Sequence, residues 1–196
     1  MKTQWANLQA QHTTFTYKTA TDFGLDINAL EKATKNGEIE RLDRGIYVFP
    51  NVLEDRYATF SQRFSKGVFS GLSARDLHDM TEEAPFHYEM TFPKGYNNPN
   101  LARLDIHTRH QVQNRFELGI ETVKTPYGNT ARVYSPERTM LDTWEREDVS
   151  VEVRKYAYHA YLKLVRQNMY RLQQLIELQQ KLYPHSNFIK TLEVDL

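Results

Sequence analysis

The first fifty residues constrain this chain most, because helix stops and starts fall there too close together for any long element. Gly24 ends one apolar-spaced run, Asp26 is a good N-cap for the next, Asn36-Gly37 closes it, and Asp43-Arg44-Gly45 divides two alternating segments. Trp5, Leu8 and His12 at helical spacing predict a short first helix, which the β-branched and aromatic run Thr13 to Thr16 breaks. Tyr17 to Phe23 predicts a second helix and Ile27 to Lys35 a third. In that third helix Ile27, Leu30 and Ala33 or Thr34 face inward, leaving Asn28, Glu31, Lys32 and Lys35 outward. Glu38 to Leu42 and Ile46 to Phe49 then alternate as the two strands of a hairpin, with Tyr47 and Phe49 on one face closing a small core.

Beyond Pro50 the pattern changes to a mixture of helices and strands. Ser70 to Met80 predicts a Ser-capped helix with Leu72, Leu77 and Met80 at apolar spacing, and Phe86 to Phe92 a half-buried strand. Pro93 to Asn100 is a turn cluster. Leu104 to Thr108, Gly119 to Lys124 and Thr130 to Tyr134 are further strand candidates, and Ser135-Pro136-Glu137 opens a helix. On that helix Arg138 and Asp142, four apart, predict a surface ion pair worth a few tenths of a kcal/mol. From about residue 149 to Tyr183 the chain reads as one helical tail ended by Pro184. Leu162, Val165, Met169, Leu172, Ile176 and Tyr183 form a heptad seam in it that packs on its own domain, and Gln179 interrupts the seam. The expected fold class is therefore α+β, with a first domain over residues 1–50 and a larger mixed domain over 51–196.

The 196 residues carry 25 basic and 25 acidic side chains, and no segment is a basic tail: residues 1–50 hold six of each sign. Such a chain is neither a disordered polyelectrolyte nor too short for a core. With no cysteine, a disulfide scaffold, a thiolate zinc site and a cysteine nucleophile are excluded. The polar opening to Thr14 and the lack of a long apolar run point to a soluble, cytoplasmic protein with no membrane segment.

Three helices followed by a hairpin is the order of a winged helix-turn-helix, in which the third helix enters the DNA major groove and the hairpin touches phosphates or the minor groove. The residue types suit that role: Asn28 for a base edge, Lys32 and Lys35 for base or phosphate, Arg41 and Arg44 on the wing, and Lys18 with Thr19 near the start of the second helix. Five cations allow a salt slope no steeper than about −4.5 per protomer, since each neutralised phosphate contributes about −0.9. A module this weakly charged gains from acting in pairs on repeated half-sites. Zero net charge in the segment, and Glu31 on the outward face, support the alternative of a protein-interaction module without DNA binding.

Catalysis finds little support. Asp105, Glu121 and Lys124 are candidates for a metal-dependent nuclease site, yet Glu121 and Lys124 face opposite sides of a regular strand. His107 and His110 make a poor chelate, Ser70 and Ser73 read as helix capping rather than nucleophiles, and no glycine-rich phosphate loop occurs. A non-enzymatic chain without a cofactor or metal is expected.

The segment Arg41-Leu42-Asp43-Arg44-Gly45-Ile46-Tyr47, preceded by Gly24-Leu25 and Asn36-Gly37, resembles the N-terminal winged helix-turn-helix of the AbiEi-type antitoxins of abortive-infection systems. Phe69 to His78, Pro85, Thr91 to Gly95 and Ser135 to Asp142 are similar to successive landmarks of the same family's C-terminal part. The resemblance implies a type IV antitoxin in two parts. Its first half would bind inverted repeats in its own promoter and repress the operon. Its second half would counteract a nucleotidyltransferase-like toxin without a stable complex. The DNA role falls on Lys18, Thr19, Asn28, Lys32, Lys35, Arg41 and Arg44.

Overall fold

The computed structural model describes residues 2–196 and, of Ala102, the backbone alone. The chain divides into two compact units, Met1–Ser65 with Thr122–Ala131, and Lys66–Glu121 with Arg132–Leu196. Helices and a small sheet make the first and a larger mixed sheet with helices makes the second, an α+β chain.

In the first unit, α1 (Lys2–Gln11) leads into β1 (Thr14–Thr16), then α2 (Tyr17–Asp22), α3 (Ile27–Lys35), β2 (Glu40–Asp43), β3 (Ile46–Val48) and α4 (Arg56–Arg63). The caps act as the sequence predicts. The Asp26 carboxylate accepts the Ala29 N–H at 2.8 Å, and Gly24, Gly37 and Gly45 take the positive φ that a side chain would penalise. The run Thr13 to Thr16 does more than break a helix. β1 pairs antiparallel with β3, Phe15 opposite Tyr47, so the hairpin becomes a three-stranded sheet of order β1-β3-β2. Being central, β3 is buried on both faces. Leu8, Phe15, Ala20, Leu25, Leu30, Ala33, Ile39, Tyr47 and Phe49 form the core. Ile27, expected inward, is 42% exposed, whereas Leu30, one turn on, is fully buried.

The segment after Phe49 ends in an anchor. Asp55 is fully buried and caps α4 by accepting the Ala58 N–H at 3.0 Å. Its other oxygen accepts the Thr125 hydroxyl at 2.5 Å and the Asn129 amide at 2.8 Å, while its own N–H donates to the Thr14 hydroxyl at 2.8 Å. These bonds hold residues 51–65 and the tip residues 122–131 in the first unit.

The second unit is built on a sheet of order β6-β5-β4-β8-β7. The strands are β4 (Val68–Phe69), β5 (Tyr88–Pro93), β6 (Ile106–Gln111), β7 (Ile120–Lys124) and β8 (Thr130–Tyr134), the last two reaching into the tip just described. β4 pairs antiparallel with β5 and parallel with β8, and β5 pairs parallel with β6. The strand expected to be half-buried is buried from Glu89 to Phe92, because β5 lies between two neighbours and is covered by helices. Helices α5 (Gly71–Leu77), α6 (Gln113–Phe116) and α7 (Pro136–Glu145) connect and cover the strands.

The tail is not one helix. α8 (Val151–Gln167) stops at Asn168, α9 (Tyr170–Leu182) folds back, and α10 (Phe188–Asp195) follows Pro184. Leu162 and Val165 are buried in the unit's own core, but Met169, at the break, is 56% exposed. Gln179 interrupts the seam for a reason. Its amide donates to the Ser186 carbonyl at 3.0 Å and its oxygen accepts the Ile189 N–H at 3.3 Å, tying down the turn between α9 and α10.

Candidate nucleic-acid interface

In the first unit, α3 and the β2–β3 turn carry exposed cations. Asn28, Glu31, Lys32 and Lys35 recur at three- and four-residue intervals along α3, all exposed, while Leu30 and Ala33 hold the opposite side in the core. No side-chain hydrogen bond or ion pair engages Asn28, Lys32 or Lys35 among the described residues. Glu31 shares their face and lowers its positive charge.

The β2–β3 turn, the expected wing, is organised around Asp43. Its Oδ1 accepts the Arg44 backbone N–H at 2.7 Å, its backbone carbonyl accepts the Arg41 Nε–H at 3.3 Å, and Gly45 at φ +72° completes the turn. The β2–β3 register shifts between Arg41 and Asp43, a bulge that twists the end of the hairpin. Arg44 extends from it with no side-chain partner among the described residues. A residue that sequence reasoning missed joins this group: Arg63, in the last turn of α4, places its Nε 3.0 Å from Asp43 Oδ2. No periodicity or turn signal links positions 43 and 63, so only the tertiary structure reveals the pair.

Lys18 and Thr19 are less available. The Lys18 ammonium sits 3.0 Å from Asp22 one turn along α2. The Thr19 N–H donates to the Thr16 hydroxyl at 3.0 Å, and the two hydroxyls are 3.0 Å apart. Both residues thus serve α2 locally.

In the second unit the conspicuous strings form interior scaffolding. Ser70 stands at the N-cap of α5 but makes no side-chain cap; its hydroxyl instead accepts from Thr91 at 2.9 Å, and the Ser73 hydroxyl accepts the Glu89 N–H at 2.9 Å. The expected capping roles are replaced by ties between α5 and β5. Gly71 is required because a Cβ there would collide with the Glu89 carboxylate. Burial pushes the Glu89 carboxyl up, but Arg146 at 3.1 Å, the Leu72 N–H and Arg109 together outweigh it and hold the group below the ordinary range. The Arg138–Asp142 pair is not on the surface. Arg138 is 0% exposed, its Nε lies 2.9 Å from both carboxylate oxygens, and its Nη1 donates to the carbonyls of Arg115 and Leu118. Burial lowers the His78 pKa, its Nε2 donates to the Tyr134 carbonyl at 2.7 Å, and Glu121 lies 3.8 Å away.

The candidate nuclease residues do not converge. Asp105 immediately precedes β6 and Glu121 lies on β7, the two opposite edges of a five-stranded sheet, about 19 Å apart across four strand spacings. His107 stacks on His87 with ring centres 3.9 Å apart and His110 lies 2.9 Å from the Tyr96 carbonyl, so the two histidines share no focus. No helix among the described residues is long and apolar enough to cross a membrane.

Residues 6–50 match the family described as "Transcriptional regulator, AbiEi antitoxin". The matched span contains α3 and the β2–β3 hairpin. No curated protein matches the chain. Among solved structures, the RV2827C protein from Mycobacterium tuberculosis aligns over 91% of this chain and 70% of its own, with 13% identity and a TM-score of 0.52, a likeness of fold.

Proposed function

We propose that this chain is a non-enzymatic type IV antitoxin of an abortive-infection system that represses its own operon. In this reading the first fifty residues act as a winged helix-turn-helix. α3 enters the major groove of inverted repeats in the promoter, Asn28 reads a base edge, Lys32 and Lys35 meet bases or phosphates, and Arg41 and Arg44 hold the backbone from the wing. Lys18 and Thr19 approach a phosphate near the start of α2, Lys18 after release from Asp22. The part from residue 51 onward counteracts a nucleotidyltransferase-like toxin without a stable complex, in the cytoplasm.

The observation that carries this reading is the coincidence of the family match with the segment in which the exposed Lys32, Lys35 and Arg44 side chains are engaged by no described residue. Repression is tested by a reporter fused to the chain's own upstream region. Expression should fall when the chain is supplied and recover with Lys32→Ala/Arg44→Ala. Toxicity of the neighbouring gene product, relieved by co-expression, tests the second half.

Glu31 on the α3 face and the Lys18–Asp22 pair favour one competing reading, a protein-interaction module that uses the same surface without DNA. A sequence-specific complex with the upstream duplex would rule it out.

A further inference from the structure

We propose that Arg63 is a third cation of the wing, positioned by Asp43 to take a DNA phosphate; the proposal rests on the DNA-reading function above. Asp43 has both carboxylate oxygens engaged, Oδ1 by the Arg44 N–H at 2.7 Å and Oδ2 by Arg63 Nε at 3.0 Å. The guanidinium also lies 5.5 Å from the Phe64 ring centre. Two contacts thus fix the side chain, and its Nε is occupied. No described residue engages the two terminal NH2 groups, and the side chain is 32% exposed. Those two groups form a planar fork that matches two phosphate oxygens.

The helix that carries Arg63 is itself held at both ends. Asp55 caps the start of α4 and the Asp43 contact holds its last turn, so the guanidinium is delivered to the wing by a rigid element. An arginine fixed in this way loses less rotamer freedom on binding than Arg44, which extends without a partner. Arg41, Arg44 and Arg63 around Asp43 give the wing turn a local charge of plus two, complementary to a phosphate backbone. Asp43 is accordingly a positioning residue, and its removal is not equivalent to adding positive charge.

The test uses the full chain and a fluorescent duplex of its own upstream region, with a scrambled duplex of equal length, titrated over a series of salt concentrations. Arg63→Gln should weaken binding to both duplexes by the same factor and reduce the salt slope by about 0.9, the share of one neutralised phosphate. Arg63→Lys should restore the slope but not the full affinity, because the charge returns without the fork. Asp43→Asn should weaken binding in the wild-type background and not in the Arg63→Gln background. Specific binding by the wild type with an unchanged slope in Arg63→Gln overturns the phosphate contact. Tighter binding by Asp43→Asn in both backgrounds overturns the positioning role. Absence of specific wild-type binding overturns the DNA-reading function itself, a distinguishable result. Thermal unfolding of each variant, with Arg63→Lys as the variant that preserves the ion pair, separates these outcomes from a folding defect.

Discussion

The two units use arginine and lysine in opposite ways. In the first, the side chains of Lys32, Lys35 and Arg44 are exposed and engaged by no described residue, while Leu30 and Ala33 on the other side of α3 join the unit's apolar cluster. In the second, Arg138, Arg75, Glu89 and Glu137 are buried, and their neighbours satisfy much of their charge and hydrogen-bonding capacity. An exposed cation adds little to stability and remains available to a ligand. A buried one costs desolvation and holds the fold only while its partners remain. The memorable strings of the second unit, Phe69 to His78 and Ser135 to Asp142, are accordingly a record of packing, whereas α3 and the β2–β3 turn leave their cations at the surface.

Substitutions should break this contrast in a graded order. Arg138→Ala leaves Asp142 beside Tyr183 without its counter-ion and strips two carbonyls of their donor, so denaturant titration should register a loss of about 3–5 kcal/mol. A loss below about 1 kcal/mol would contradict the scaffold role. Asp55→Ala comes next. It removes the α4 cap and a buried acceptor serving Thr125 and Asn129, with an expected cost of about 2–3 kcal/mol. Lys32→Ala and Arg44→Ala should leave stability within about 0.5 kcal/mol, yet weaken operator binding by about 1–3 kcal/mol where the contact is to a base, or equally on all sequences where it is to phosphate.

Acid should act on the second unit more than on the first. The His78 pKa is lowered by burial, so the unfolded chain takes up that proton first, and stability should begin to fall as pH drops below about 6.5, the ordinary histidine value. Glu89 titrates below its ordinary range in the folded state. Its stabilisation is complete above that range and is lost as pH falls through the depressed folded value. Melting curves against pH should show both stages, and Glu89→Gln should remove the second. The smallest effect is expected from Lys18→Ala. Its pair with Asp22 is exposed on both sides, and little change in stability should appear by thermal melting.

Much of the first unit was legible in sequence because its signals are local. Asp26, Gly24, Gly37 and Gly45 fix helix ends and a turn through their own backbone preferences, and the structure places α3 at the residues those caps define. Pairing between distant segments was not legible. Thr14–Thr16 reads as a helix break until β3 lies beside it, and Asp55 carries no local sign of burial until Thr125 and Asn129 reach it. The Arg138–Asp142 pair followed helix spacing correctly, but spacing carries no information about burial. The tail misled for a related reason. A heptad pattern survives a helix reversal when both arms pack on the same core, and Asn168 carries too weak a stop signal to mark the turn. Among the site residues the exposed face of α3 followed from periodicity, whereas Arg63 depends on a contact across twenty positions.

The most direct test of the central claim is a gel-shift titration of the purified chain against its own upstream region, with scrambled competitor DNA, at two salt concentrations. The expected result is a sequence-specific shift that weakens with salt, with a slope of about −4.5 per protomer or shallower for Lys18, Lys32, Lys35, Arg41 and Arg44, and steeper by about 0.9 when Arg63 engages. A shift no stronger than with scrambled DNA at the lower salt would contradict it and leave the exposed face of α3 to a protein partner.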